Sequence, residues 1–177
     1  ERNNVEGLVL SMTRFRGDLY AATLQGIYRL IPGSSMRKGR KWDGARFEIV
    51  ENAPNTGNQL LNLGSELFLV SYSGTYIMTG NGSFTKISEK GGRFISAPRH
   101  TRDTLLVGTD SGLFLLARQP GNWKYIPLES MPVTIFLSLI QDAAGMYWAG
   151  CYQYGVLRID TGAGLTRMKW TLFDEED

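Results

Sequence analysis

Along this chain, short runs of alternating or unbroken apolar residues are separated by turns that carry glycine. Such runs read as strands. No stretch shows a convincing apolar face at helical spacing. The clearest run of this kind is Ile135–Asp160, IFLSLIQDAAGMYWAGCYQYGVLRID. It holds three strand-like segments, Ile135–Ile140, Met146–Cys151 and Val156–Ile159. Asp142–Gly145 makes the first turn, where an Asp side chain caps its own backbone and Gly takes positive φ. A second turn closes at Gly155.

The same unit recurs three more times. Its second strands are Leu19–Thr23, Leu67–Ser71, Leu105–Thr109 and Tyr147–Cys151, each beginning large and apolar and ending small. The turn glycines that follow are Gly26, Gly74, Gly112 and Gly155, which lie 48, 38 and 43 residues apart. From strand start to glycine the gap is 7 residues in three units and 8 in the last. Third strands follow at Ile27–Leu30, Thr75–Met78, Leu113–Leu116 and Val156–Ile159. The fourth strand pairs a bulky residue with an apolar one three positions on: Phe47 with Val50, Phe84 with Ile87, Trp123 with Ile126, Leu165 with Met168. A repeated four-strand unit of roughly 40–45 residues is the signature of a propeller blade. A generic antiparallel sandwich also has short strands and glycine turns, but does not require one motif to recur at this spacing. The expected fold is therefore all-β: a β-propeller of four four-stranded antiparallel blades, either a four-bladed ring or part of a larger propeller. The units fall at about 7–55, 56–92, 93–132 and 133–173 of a single domain spanning 1–177.

Composition agrees with a turn-rich β chain. Its 177 residues suffice for a sizeable core, with 21 glycines and 6 prolines. No run reaches the ~18 apolar residues of a membrane span, and no membrane span or basic-then-apolar leader is expected in this sequence. A net charge of +2 argues neither for nor against nucleic acid, and no nucleic-acid partner is expected. The single cysteine, Cys151, excludes an internal disulfide; at a strand end it reads as a buried structural thiol.

Several segments have two readings. Arg16-Gly17-Asp18 spells an adhesion tripeptide and is also a glycine hairpin turn, the reading preferred here. The stretch Ile31–Ala45 carries Arg37, Lys38, Arg40 and Lys41 around Trp42, with Arg46 just beyond. It could meet phosphate and stack on a base; the preferred reading is a solvated insertion between outer strands. Gly80-Asn81-Gly82 is a hairpin signal. Pro98 should end the inner strand Arg93–Ala97. The tail Asp174–Asp177 is acidic.

Catalytic and metal chemistry is sparse. His100 is the sole histidine and lies in the charged turn Arg99–Asp103, with no second His or Cys nearby to build a metal site. A His-dependent triad would have to use it. No glycine-rich phosphate loop precedes a helix. The strands carry few acids, and Asp142 has a sufficient role as a turn cap. No catalytic residue, no metal site and no cofactor are assigned, and the chain is read as a non-enzyme.

The fourth unit resembles the two-component regulator propeller repeat: an apolar strand, Asp-x-x-Gly-x-x-Trp-x-Gly, then a glycine and a short apolar-Arg strand. The matching residues are Asp142, Gly145, Trp148, Gly150, Gly155, Val156, Leu157 and Arg158. The first unit keeps Gly26 and Arg29 but has Tyr20 for the Trp; the third keeps Gly108, Thr109 and Gly112 but has Leu106. The third unit also looks like sialidase-type or photosystem-assembly-type propellers. The first resemblance implies a sensory domain of a bacterial signalling protein, periplasmic or extracellular; the second implies carbohydrate or protein binding.

In a propeller, the loops between second and third strands come to one face, and binding on rigid scaffolds usually lives in loops. Those loops supply the candidate ligand site: Gln25 beside Leu24, Tyr72 and Ser73, Asp110 and Ser111, and Tyr152, Gln153 and Tyr154. Two tyrosines around an amide could form a stacking platform for a sugar; equally, either could pack on a neighbouring blade. The expected partners are a small-molecule or oligosaccharide ligand and a second propeller chain or homodimer. Two further expectations follow. Trp148 should be buried between blades, so that Trp148→Ala costs about 3–5 kcal/mol. The apolar run Val5–Leu10 should be covered, by the fourth blade or by a second chain.

Overall fold

The computed structural model describes residues 5–33, 44–80, 82–99, 101–128, 132, 134–160 and 168–173. The basic cluster from Arg37 to Trp42, Asn81, His100, Leu165 and the acidic tail Asp174–Asp177 lie outside the described residues.

Among the described residues sixteen strands form four antiparallel sheets of four, each a meander in which consecutive strands are neighbours. The first sheet holds β1 (Val9–Phe15), β2 (Asp18–Thr23), β3 (Gly26–Ile31) and β4 (Arg46–Ile49). The second holds β5 (Gln59–Asn62), β6 (Leu67–Ser71), β7 (Gly74–Met78) and β8 (Phe84–Ser88). The third holds β9 (Phe94–Ser96), β10 (Thr104–Gly108), β11 (Leu113–Gln119) and β12 (Asn122–Pro127). The fourth holds β13 (Phe136–Gln141), β14 (Tyr147–Cys151), β15 (Gly155–Asp160) and β16 (Lys169–Phe173). The last strand starts after Met168, so Met168 precedes it as a buried core residue and does not sit inside it.

The chain divides into two compact units, 1–86 and 87–177. In the first, β5 lies against β1 and β2. Phe15, Tyr20, Ala22 and Ile27 of the first sheet meet Leu60, Leu67, Leu69, Met78 and Phe84 of the second. In the second unit, β13 lies against β9 and β10. There Phe94, Leu106, Leu113 and Leu115 meet Phe136, Tyr147, Ala149, Leu157 and Ile159. Burial of these large apolar side chains is the main driving force of each unit.

Local chemistry explains the tight turns. Arg16 and Gly17 join β1 to β2 at φ +51 and +91, the mirror-image type I geometry that suits strand twist. The Arg16 guanidinium donates to the carbonyls of Gly80 and Ser65 and stacks 5.0 Å over Phe15. Arg16-Gly17-Asp18 is thus a structural turn that ties the first sheet to hairpins of the second. In β10, an added Cβ at Gly108 would lie 2.0 Å from the Phe94 ring, so that position must be bare for the core ring to fit.

One expectation is corrected. Trp148 is only half-buried; the buried aromatic of β14 is its neighbour Tyr147, which is fully buried. Strand alternation sends Tyr147 towards the third sheet and Trp148 to the opposite face. On that face Trp148 meets Phe173 at 5.9 Å. The first unit by itself leaves Leu8, Val9 and Leu10 of the Val5–Leu10 run exposed.

Candidate functional site

The turns between second and third strands carry a repeated hydroxyl box. In the first sheet the Thr23 Oγ1 accepts from Gln25 N at 3.0 Å and donates to Gly26 O at 3.1 Å. In the second, Ser71 Oγ accepts from Ser73 N at 3.2 Å and donates to Gly74 O at 3.4 Å. In the third, Thr109 Oγ1 accepts from Ser111 N at 3.0 Å and donates to Gly112 O at 2.9 Å. One hydroxyl thus satisfies a turn amide and adds a second donor to the glycine carbonyl, which in the third sheet also accepts from Thr109 N at 2.9 Å. The three glycines have nearly equal φ, +143, +148 and +141, a region open to glycine.

The fourth turn breaks the pattern. Cys151 stands where the hydroxyl should be, and its Sγ points back to Ala149 O at 3.9 Å. The thiol is buried, and burial raises its pKa, as a structural role implies. The loop gains a residue, Gly155 adopts φ +73, and Gln153 takes the left-handed region at φ +66. Tyr152 and Tyr154 flank it, 52% and 51% exposed. Neither is packed away. Gln153 thus stands at positive φ between two open aromatic rings.

Within each unit the candidate turns share an edge. In the first, Gly57 N donates to Thr23 O at 2.8 Å and Asn58 N to Val70 O at 2.8 Å, which brings Gln25, Tyr72 and Ser73 to one side. Ser73 Oγ also meets Tyr76 Oη at 2.9 Å. In the second, Phe136 N donates to Thr109 O at 3.2 Å and Tyr152 N to Ile135 O at 2.9 Å. Thr134 Oγ1 donates to Tyr152 O at 3.3 Å. Asp110, Ser111, Tyr152, Gln153 and Tyr154 therefore line one edge.

Sequence reasoning missed two groups. Arg93 forms an ion pair with Asp110, fixing that carboxylate at the edge; they are far apart in sequence and only the fold joins them. In the first unit a cavity of about 380 Å³ opens beside Arg29, Glu48, Glu51 and Asn52. The alternation of Arg29 and Glu48 with apolar neighbours was its only sequence signal.

Asp142 takes no part in either group. Its Oδ1 accepts from Ala144 N at 2.9 Å and Met146 N at 3.0 Å, and its Oδ2 from Trp148 Nε1 at 2.9 Å. These bonds, the indole's first, hold the carboxyl below its ordinary range, against an opposing desolvation effect. The residue is a turn cap.

Among the described residues no group of three or more His, Cys, Asp or Glu could hold a metal ion, and no helix is long and apolar enough to cross a membrane. The chain matches no family model and no curated protein.

Proposed function

We propose that this chain is a non-catalytic, ligand-binding β-propeller domain of sensory type, as carried by bacterial two-component and related signalling proteins outside the cytoplasm. The four meander sheets are its blades, and its ligand is a small molecule or oligosaccharide. The observation that carries this reading is the Tyr152–Gln153–Tyr154 loop. It alone departs from the repeated turn, and it does so by opening two rings and an amide to solvent. Stacking of rings on the apolar face of a sugar, with an amide bonding a hydroxyl, is the chemistry such a loop offers. Calorimetric titration of the chain with a panel of β-linked and α-linked oligosaccharides tests it. Binding that is lost in Tyr152→Ala and Tyr154→Ala supports the reading; no binding by any member counts against it.

A second reading, a scaffold for protein partners, is favoured by a different observation. The first sheet exposes Leu10, Met12 and Ile49, and the fourth exposes Ile140, Val156 and Phe173. Apolar sheet faces of this kind are covered in stable assemblies. A second propeller chain or another copy of this one would supply the cover. Light scattering across a concentration series distinguishes an associating chain from a monomer.

A further inference from the structure

We infer that the cavity of the first unit is a binding site for a free α-amino acid with a short aliphatic side chain. It stands independently of the tyrosine loop, which belongs to the other unit.

Three residues opposite one another across the first sheet build one wall: Tyr20 on β2, Arg29 on β3 and Glu48 on β4. Glu51 and Asn52 follow β4, and Ser83 comes from the turn before β8. The volume, about 380 Å³, is at the small end of ligand pockets.

Opposite charges directly across a ladder ordinarily neutralise each other. Here they do not. Glu48 is held by Arg46 at 2.5 Å on its own strand. Among the described residues Arg29 reaches a carboxylate only through Nη1, with Asp18 Oδ2 at 3.8 Å, and its other N–H donors have no partner there. Glu51 has no ion pair or hydrogen bond among the described residues. The cavity therefore offers a guanidinium fork and an unengaged carboxylate. A guanidinium suits a carboxylate ligand, and a carboxylate suits an ammonium. A zwitterion satisfies both without leaving net charge.

The remaining walls narrow the class. Tyr20, the cavity's aromatic, is 5% exposed and packs edge-on against Phe15 at 6.3 Å, so it presents no open face to a sugar ring. Val50, packed on the apolar core, gives an aliphatic side chain something to lie on.

The test is calorimetry on the full chain with L-alanine, L-valine and L-leucine, and with N-acetyl-L-leucine and L-leucinamide. At least one free amino acid should bind, and each capped form should bind leucine's site at least about tenfold more weakly. Glu51→Gln should weaken the free amino acid but leave the N-acetyl form unchanged. Arg29→Gln should weaken it but leave the amide unchanged. Thermal melts confirm that each variant folds, and exposed Glu51 serves if Arg29→Gln does not. No heat from any of the three amino acids overturns the proposal. So does equal binding of the capped forms, or loss of binding in Tyr152→Ala but not in Glu51→Gln.

Discussion

The Trp148 indole Nε1 donates to Asp142 Oδ2 at 2.9 Å across the β13–β14 turn, while the other oxygen of the same carboxylate caps two backbone amides. Asp142 and Trp148 are thus one structural device. The indole holds the carboxylate, and the carboxylate holds the turn.

That device should titrate. Asp142 has a folded-state pKa below its ordinary value of 3.8, chiefly through the indole bond. A depressed carboxylate contributes stability that is present above the unfolded value and lost as pH falls through the folded one. Asp142→Asn should therefore lower the melting temperature at neutral pH and flatten its decline below about pH 4. Melts from neutral to acid pH check this, and tryptophan emission should shift in the same variant.

Tyr147, not Trp148, should dominate the fourth sheet's stability. Tyr147→Ala should cost about 3–5 kcal/mol, as for other fully buried aromatics. Trp148→Ala should cost about 1–2 kcal/mol, typical of a partly exposed side chain. Equal costs in chemical denaturation would show that the faces of β14 are reversed.

The Tyr147 hydroxyl is buried and has no hydrogen-bond partner among the described residues, and burial raises its pKa from 10.0 to about 12. Tyr147→Phe should thus be neutral or stabilising, because it removes a polar group that folding desolvates without return. The raised pKa keeps the phenol neutral in the fold, so stability is intact below pH 10 and falls as pH rises towards about 12. Alkaline melts should show that fall in the parent and less of it in Tyr147→Phe.

The hydroxyl boxes should act alike. Thr23→Val and Ser71→Ala each remove the acceptor of one turn amide, and each should cost about 1 kcal/mol. Urea midpoints measure this, and a fall in one sheet but not the other would mean that the turns are not equivalent.

Gly108→Ala should cost about 1–3 kcal/mol or more, since its methyl would occupy the place of the Phe94 ring. Pairing it with Phe94→Leu should recover part of the loss. A Gly108→Ala chain as stable as the parent would place the ring elsewhere.

The second and third strands of each sheet, their order and most turn positions were legible in the chain, because they are set locally, whereas the last strand lies at Lys169–Phe173 and not at Leu165–Met168. Alternation defines a strand, and glycine with positive φ defines a turn, as at Gly17, Gly74 and Gly112. Asp142 as a cap was legible for the same reason: its bonds span only a few residues. What tertiary structure decided is which face of each strand is covered. A period of two treats both faces alike, so Tyr147 and Trp148 were interchangeable until the third sheet packed on one of them. Arg93 found Asp110, and Arg29 paired with Asp18 while Glu48 paired with Arg46, for a related reason. Charge pairing depends on where side chains end in space, and residues distant along the chain meet there only after the sheets have formed.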